Sequence, residues 1–265
     1  YYLFRTVGTI DHPATSALSA TSGTFTGDVT APSGTFTTTS TSTSAFSFAN
    51  QLNNSSASND SIVALGFHNR ADVNADGVGA AIALSGSGVA AGSGNLIFCI
   101  KDTSGIANTV APSDVKMTID SNGAVTTPNQ PAFSVKKTSD QTNIAVDSNV
   151  TIVFDSERFD QNADFASNTF TAPVTGKYQL NVHLYFQNVD DAHTYVQVKL
   201  NTSNVSYQAV NDPDHGQDIV YFTVVISQLA DMDANDTASV TVRLASGAAQ
   251  TDLATDSYFS GYLVA

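Results

Sequence analysis

From Tyr178 to Phe186 every second residue is apolar (Tyr178, Leu180, Val182, Leu184, Phe186), and those between are polar except Tyr185. A period of two places alternate side chains on opposite faces of an extended chain, so this stretch predicts a half-buried β-strand. Val196, Val198 and Leu200 repeat the pattern, as do Val240, Val242 and Leu244. Ile219 to Ile226 is apolar at both parities and predicts a strand buried on both faces, between two sheets. Upstream, Ser61 to Phe67, Gly79 to Leu84, Asn95 to Ile100 and Val115 to Ile119 predict short strands, separated by Gly, Asn, Asp and Ser. Ser121-Asn122-Gly123 is a turn signal between Met117-Thr-Ile119 and Ala124-Val-Thr126, and Gly86 to Gly94 reads as a loop. Pro128 and Pro131 mark a boundary, after which the alternation becomes regular. Strands at this spacing with turn residues between them predict a two-sheet sandwich or jelly roll.

Residues 1–44 behave differently. Ala20-Thr-Ser-Gly-Thr-Phe-Thr26 recurs as Ala31-Pro-Ser-Gly-Thr-Phe-Thr37. One phenylalanine per repeat, Phe25 then Phe36, cannot build a core within one chain, because ordering each residue costs about 1.5 kcal/mol. The segment is either a disordered linker or one strand set of an intertwined multi-chain shaft. The regular phenylalanines among β-favouring threonines favour the shaft, since a flexible linker has no need of them. The chain thus divides into a Thr/Ser/Gly-rich shaft (1–44), a β-rich intermediate module (45–127) and a C-terminal head (128–265).

Composition narrows the class. Of 24 acidic residues only Glu157 is a glutamate, and charged residues are 13% of the chain. Asp favours turns and caps, whereas Glu favours helix interiors, so little is left to build exposed helix faces and the fold is expected to be all-β. A net charge of −14 argues against nucleic acid and against anionic membrane surfaces. No apolar run is long enough to span a bilayer as a helix, so no membrane insertion is expected. Cys99 is the single cysteine and reads as a core thiol. The chain begins at Tyr1 without a visible signal peptide, so further residues are expected before it.

The spacing Phe154-x5-Asp160-x4-Phe165-x4-Phe170-x5-Gly176-x-Tyr178-x-Leu180-x-Val182 resembles the signature of the C1q/TNF-like head domain. Leu180 and Val182 replace aromatics of that pattern, and the gap before Phe170 is about two residues short. Pro131-Ala-Phe133, Asp236-Thr237 and the closing Tyr258-Phe259-Ser-Gly261-Tyr-Leu263 extend the likeness over residues 128–265. The resemblance implies a ten-stranded jelly roll that forms a homotrimer and binds ligands through loops or subunit clefts, commonly at the tip of a stalk. No Gly-X-Y triplet is present, so the stalk is not collagen. Lys116-Met-Thr-Ile-Asp-Ser-Asn-Gly-Ala-Val125 is similar to a segment that recurs in phage tail fibres, and the layout of shaft, module and head resembles distal fibre proteins of marine phages.

Candidate chemistry is sparse. Asp72-Val-Asn74-Ala-Asp76-Gly77 copies the first half of a calcium loop, but Ala83 stands where the bidentate carboxylate belongs, so a hairpin turn is the competing reading. Asp190-Asp191 near His193 is a second candidate, because some C1q/TNF-like relatives bind Ca²⁺ near the trimer apex. Asp212, Asp214 and His215, with Asp218, cluster in an expected loop without metal-ligand spacing. Asp231-Met-Asp233-Ala-Asn235-Asp236 reads as a loop between strands, and Glu157 beside Arg158 as a surface ion pair. His183 falls on the polar face of its strand with no recognisable partner. No nucleophile elbow, phosphate loop or carboxylate pair in an apolar setting is present, so no enzyme is expected.

These features together predict a trimeric virion fibre protein whose head adheres to a host-surface glycan or protein. Its N-terminal region would contact other virion proteins. A structural decoration or trimerisation knob, and a polysaccharide depolymerase, are the rival readings. Asp190 to Thr194 and Ala209 to Asp218 are the loops expected to meet a ligand. In the ending Asp256-Ser-Tyr-Phe-Ser-Gly-Tyr-Leu-Val-Ala265, Phe259, Gly261 and Leu263 share one face, and Tyr258, Tyr262 and Val264 the other. Apolarity on both predicts a true C-terminal strand with one side on the core, the other free for a neighbouring subunit, and a close approach at Gly261.

Overall fold

The computed structural model describes residues 62–67, 79–86, 94–101 and 110–265. The 1–44 repeat, the Asp72, Asn74 and Asp76 loop and residues 87–93 lie outside them. Among the described residues there are strands and one 3₁₀ turn, with no α-helix.

The first five strands form one antiparallel meander: β1 (Ile62–Phe67), β2 (Ala80–Gly86), β3 (Gly94–Ile100), β4 (Val115–Ile119) and β5 (Val125–Thr126). Between β4 and β5 the Asp120 carboxylate accepts the amides of Asn122 and Ala124, both at 2.8 Å, and Gly123 takes φ +85°. This Asx-type closure is the expected Asn-Gly turn. Register decides the two faces. Leu65, Ile82, Phe98 and Met117 stand side by side across four strands, and Leu84, Leu96, Ile119 and Val125 form the next row. The opposite face buries Ala83, Ile97 and Cys99, with Val110 and Val115 packed on them. A bulge at Phe98/Cys99 lets Val115 join that face while Met117 stays on the other. The Pro112–Asp114 turn is pinned over it by Asp114, whose carboxylate accepts from the Ala111 amide (2.8 Å) and from Lys101 Nζ (3.1 Å). Burial pushes the Cys99 thiol up, as expected of a core cysteine.

The remaining strands are β6 (Ala132–Lys136), β7 (Val150–Thr151), β8 (Ser156–Asp160), β9 (Phe165–Ala166), β10 (Thr169–Thr171), β11 (Gly176–Val189), β12 (Tyr195–Thr202), β13 (Ser206–Asn211), β14 (Ile219–Met232), β15 (Thr237–Ala245), β16 (Asp252–Leu253) and β17 (Tyr258–Leu263). They build two sheets, β14-β11-β17-β6-β8 and β13-β12-β15-β10-β9. The two-residue β16 and β7 add to β11 and β15. Ten strands in two five-stranded paths is the jelly-roll layout.

Alternation explains the packing. Tyr178, Leu180, Val182, Leu184 and Phe186 of β11 are all within 1% of full burial, and Val196, Val198, Leu200, Val240, Val242 and Leu244 face them from β12 and β15. Each such side chain contributes about 2 kcal/mol on leaving water. Four phenylalanines close one end: Phe133 lies 4.6 Å from Phe170, 5.4 Å from Phe165 and 4.9 Å, edge-on, from Phe259. The tail strand β17 runs in the middle of its sheet, between β11 and β6. A Cβ on Gly261 would sit 2.6 Å from Leu180 Cδ2 and 2.8 Å from Phe133 Cε1, so the close approach expected there is real.

One expectation is overturned. Ile219 to Ile226 does not run between two sheets. β14 is the edge of its sheet, with Val224, Ile226, Ala230 and Met232 on the core and Tyr221, Val225 and Leu229 on the outside, at 64%, 59% and 50% exposure. An apolar strand can be doubly buried or can have one face on the core and one available to another molecule, and periodicity does not separate these cases. The expected Ala209 to Asp218 loop also begins later, because Ala209 to Asn211 belong to β13. Arg158, read as an ion partner of Glu157, lies over the Tyr258 ring, 5.9 Å from its centroid.

Candidate functional site

Three loops meet at one end of the jelly roll: 190–194 after β11, 212–218 after β13 and 246–251 after β15. Val189 pairs with Ile219, so Asp190 and Asp218 emerge side by side from adjacent strands. Asp190, Asp191 and Asp218 consequently bring carboxylate oxygens within 4.8 Å of one another. Asp218 is the member that sequence reasoning grouped elsewhere, with Asp212, Asp214 and His215. Only the β11–β14 register, which local patterns do not encode, places it here.

The carboxylates are largely engaged. Asp190 is buried and accepts from the amides of Ala192 (2.9 Å) and Ala248. The Ala248 and Ala192 amides hold it below the usual carboxylate range against the opposing effect of burial, with His193 nearby. Asp218 accepts from the Asp191 amide (3.2 Å) and from Gln250 Nε2 (2.8 Å). Calcium takes six to eight oxygens. The trio offers three carboxylates toward such a shell, and Asp190 and Asp218 also close loops through the groups that donate to them.

His193 is 1% exposed. Its Nδ1 donates to the Ser246 carbonyl (2.7 Å), and its Nε2 lies 3.0 Å from Thr251 Oγ1. Gly247, at φ +73°, lets this loop pass: a Cβ there would lie 2.6 Å from His193 Nδ1 and 2.8 Å from Asp190 Oδ2. Asp190 and His193 thus tie the 190–194 and 246–251 loops to each other. Asp212, Asp214 and His215 are exposed, with Asp212 turning the loop by accepting the Asp214 amide (3.1 Å). They do not join the Asp190 cluster. Asp233 and Asp236 likewise sit in a turn, where Asp236 accepts from the Asp233 amide (2.9 Å) and Asn204 Nδ2 (2.6 Å).

A second surface was not anticipated as a whole. The outward face of the β14-β11-β17-β6-β8 sheet carries Tyr221, Val225, Leu229 and Tyr262, all at least half exposed, around Tyr185, His183 and Tyr258. Tyr185 stacks on Tyr221 (5.9 Å), and His183 lies flat on Tyr258 (4.7 Å, 3°). His183 Nδ1 is buried with no hydrogen-bond partner among the described residues. A short polar row crosses the face, with Gln179 Nε2 donating to Asn181 Oδ1 (3.1 Å) and Ser227 Oγ also donating to it (2.8 Å). The outward face of the other sheet is more polar, with Gln197, Lys199, Asn201, Thr241 and Arg243 beside Tyr195 and Val210. Elsewhere, a cleft of about 840 Å³ beside the end of β17 is lined in part by Lys116, Gln130, Asp164 and Leu263.

A family model described as the C1q domain matches residues 132–264, half of the chain. The chain belongs to the C1q domain family. Its all-β jelly roll agrees with that membership. Among solved structures, the globular domain of zebrafish complement 1qA protein is similar over 52% of this chain and 98% of its own, at 18% identity and a TM-score of 0.41. No curated protein matches the sequence. Within the C1q domain the motif aromatics Phe154, Phe165, Phe170 and Tyr178 are all core residues. The signature therefore reports packing, not chemistry.

Proposed function

We propose that this protein is a homotrimeric, non-enzymatic fibre protein of a phage virion, whose C1q domain contacts a host-surface glycan or protein. The observation that carries the trimer is the outward face of β14, β11 and β17, which exposes more large apolar side chains than that of the second sheet. Monomeric surfaces rarely keep such a patch uncovered. The Thr/Ser/Gly repeat of residues 20–37 and the 116–125 segment support the fibre setting. Among the described residues no helix is long and apolar enough to cross a membrane.

The exposed loop holding Asp212, Asp214 and His215 is the contact surface in this reading. Three copies about one axis raise weak single-site binding by about 10² or more. Light scattering of the intact chain should give three times 27.6 kDa, and Val225→Asp should lower that mass. A monomer at all concentrations overturns the trimer. Adhesion is read from labelled full-length protein on host cells, with Asp212→Ala/Asp214→Ala as the loop variant. Trimers that bind no host cell favour the structural-decoration reading, and release of reducing ends from host glycans would establish a depolymerase.

A further inference from the structure

Among the described residues the meander β1–β5 has one closed face and one open one. The closed face is capped within the chain by Val110, Val115 and the turn that Lys101 and Asp114 hold down. Its enclosed residues, Ala81, Ala83, Ile97 and Cys99, are too few to offset the ordering of five strands. Most of the larger described side chains are on the other face. Leu65, Ile82, Leu84, Leu96, Ile100 and Val125 are between 36% and 56% exposed, in continuous rows.

We infer that this open face is a second self-association surface, covered by the same face of other copies of this chain. Three arguments select that occupant. Five strands about 4.8 Å apart and some six residues long make a face of about 500 Å². That is the size of the largest patch a monomer keeps, and below the roughly 800 Å² per partner of a stable interface. The missing area is supplied if the same copies also meet through the C1q domain. The second argument is charge. Copies carrying −14 repel one another except where carboxylates are absent, and the rows described above contain no charged residue. The third is continuity: β5 leads into β6 through five residues, and Gln161 Nε2 donates to the carbonyls of Thr127 and Pro128 in that connection (2.9 Å each). The inference rests on the trimer reading but assigns a different surface.

The test uses full-length Leu96→Cys, with Ala64→Cys, an exposed position of the outer strand β1 beyond the capped part of the opposite face, as the control and buried Cys99 as the internal silent thiol. Labelling by a charged maleimide is followed while light scattering reports mass over a dilution series. Leu96→Cys should react at least 10-fold more slowly than Ala64→Cys in the assembled protein, and its rate should rise in step with the monomer fraction. Equal rates in a trimer overturn this inference and leave the trimer standing. Slow labelling that persists in monomers assigns the cover to the chain's own residues and also overturns it. A monomer at every concentration, with fast labelling, removes the trimer reading itself.

Discussion

Two substitutions on one strand separate core from interface. Phe259 of β17 is fully buried, edge-on to Phe133 at 4.9 Å and within 6.1 Å of Phe154 and Phe165. Phe259→Ala removes a whole aromatic side chain from a site hemmed by rings on a central strand, so the cavity cannot collapse. The expected cost is about 4 kcal/mol, in the upper range for such truncations because several ring pairs are lost together. With a urea slope of about 2 kcal/mol/M, the midpoint should fall by about 2 M. Tyr262, three residues on, faces outward at 50% exposure. Within one chain Tyr262→Ala should cost under about 1 kcal/mol. Across copies it should weaken assembly by about 10-fold, because truncating an interface tyrosine costs more than about 1 kcal/mol. Urea unfolding at several protein concentrations reads both effects: Phe259→Ala shifts the midpoint at every concentration, and Tyr262→Ala changes its dependence on concentration. A loss below 1 kcal/mol for Phe259→Ala, or an unchanged mass and concentration dependence for Tyr262→Ala, would refute the reasoning.

Acid should destabilise the fold in a defined window. Burial would raise Asp155, but the Ser139 hydroxyl and Thr138 amide outweigh it and hold it at about 2, and Asp190 is also depressed. Their stabilisation is present above the unfolded value near 4 and lost as pH falls through the folded values, so a pH titration of Tm should drop between about pH 4 and 2 and flatten in Asp155→Asn. Asp164 is the reverse case: burial and then Asp160 raise it, and its Oδ2 is buried without a partner among the described residues. Its stabilisation holds below the unfolded value and disappears as pH rises through the folded one, so Asp164→Asn should raise Tm at pH 7 by about 2–4 °C. Gly247→Ala should cost about 2 kcal/mol by urea unfolding. Gly216→Ala, at a similar φ of +72° but with no atom within 4 Å, should cost about 1, and equal costs would show that His193 and Asp190 do not latch the loops. Chelation should leave Tm within about 1 °C, since the Asp190 carboxylate is engaged by amides; a shift of several degrees on adding Ca²⁺ would show that the acidic trio completes a site.

Much of the fold was legible because period-two alternation is a direct record of burial. Tyr178 to Phe186 and the β12 and β15 valines reported their inward faces correctly, and Asn122-Gly123 reported its turn. The site was less legible for reasons of distance in sequence. Asp190 and Asp218 are 28 residues apart and meet only because Val189 pairs with Ile219. The burial of His193 was not legible beside two aspartates, because the Ser246 carbonyl and Thr251 hydroxyl that satisfy it lie more than 50 residues further on. Polar residues in a loop carry no local mark that distinguishes a latch from a contact.

The two apolar surfaces pose the same problem at a larger scale. Hydrophobicity along β14 was read as burial inside one chain, and along β1–β5 as ordinary strand character. Both readings assume that a chain must hide its apolar side chains from water by itself. A strand that sends Val224, Ile226 and Met232 inward and still carries Tyr221, Val225 and Leu229 outward is apolar on both faces while only one lies on the core. At net −14 an isolated copy gains solubility from charge while keeping two carboxylate-poor faces for association. Charge then acts as a filter on partners. In the proposed assembly, contacts between copies would favour registers that superpose those faces.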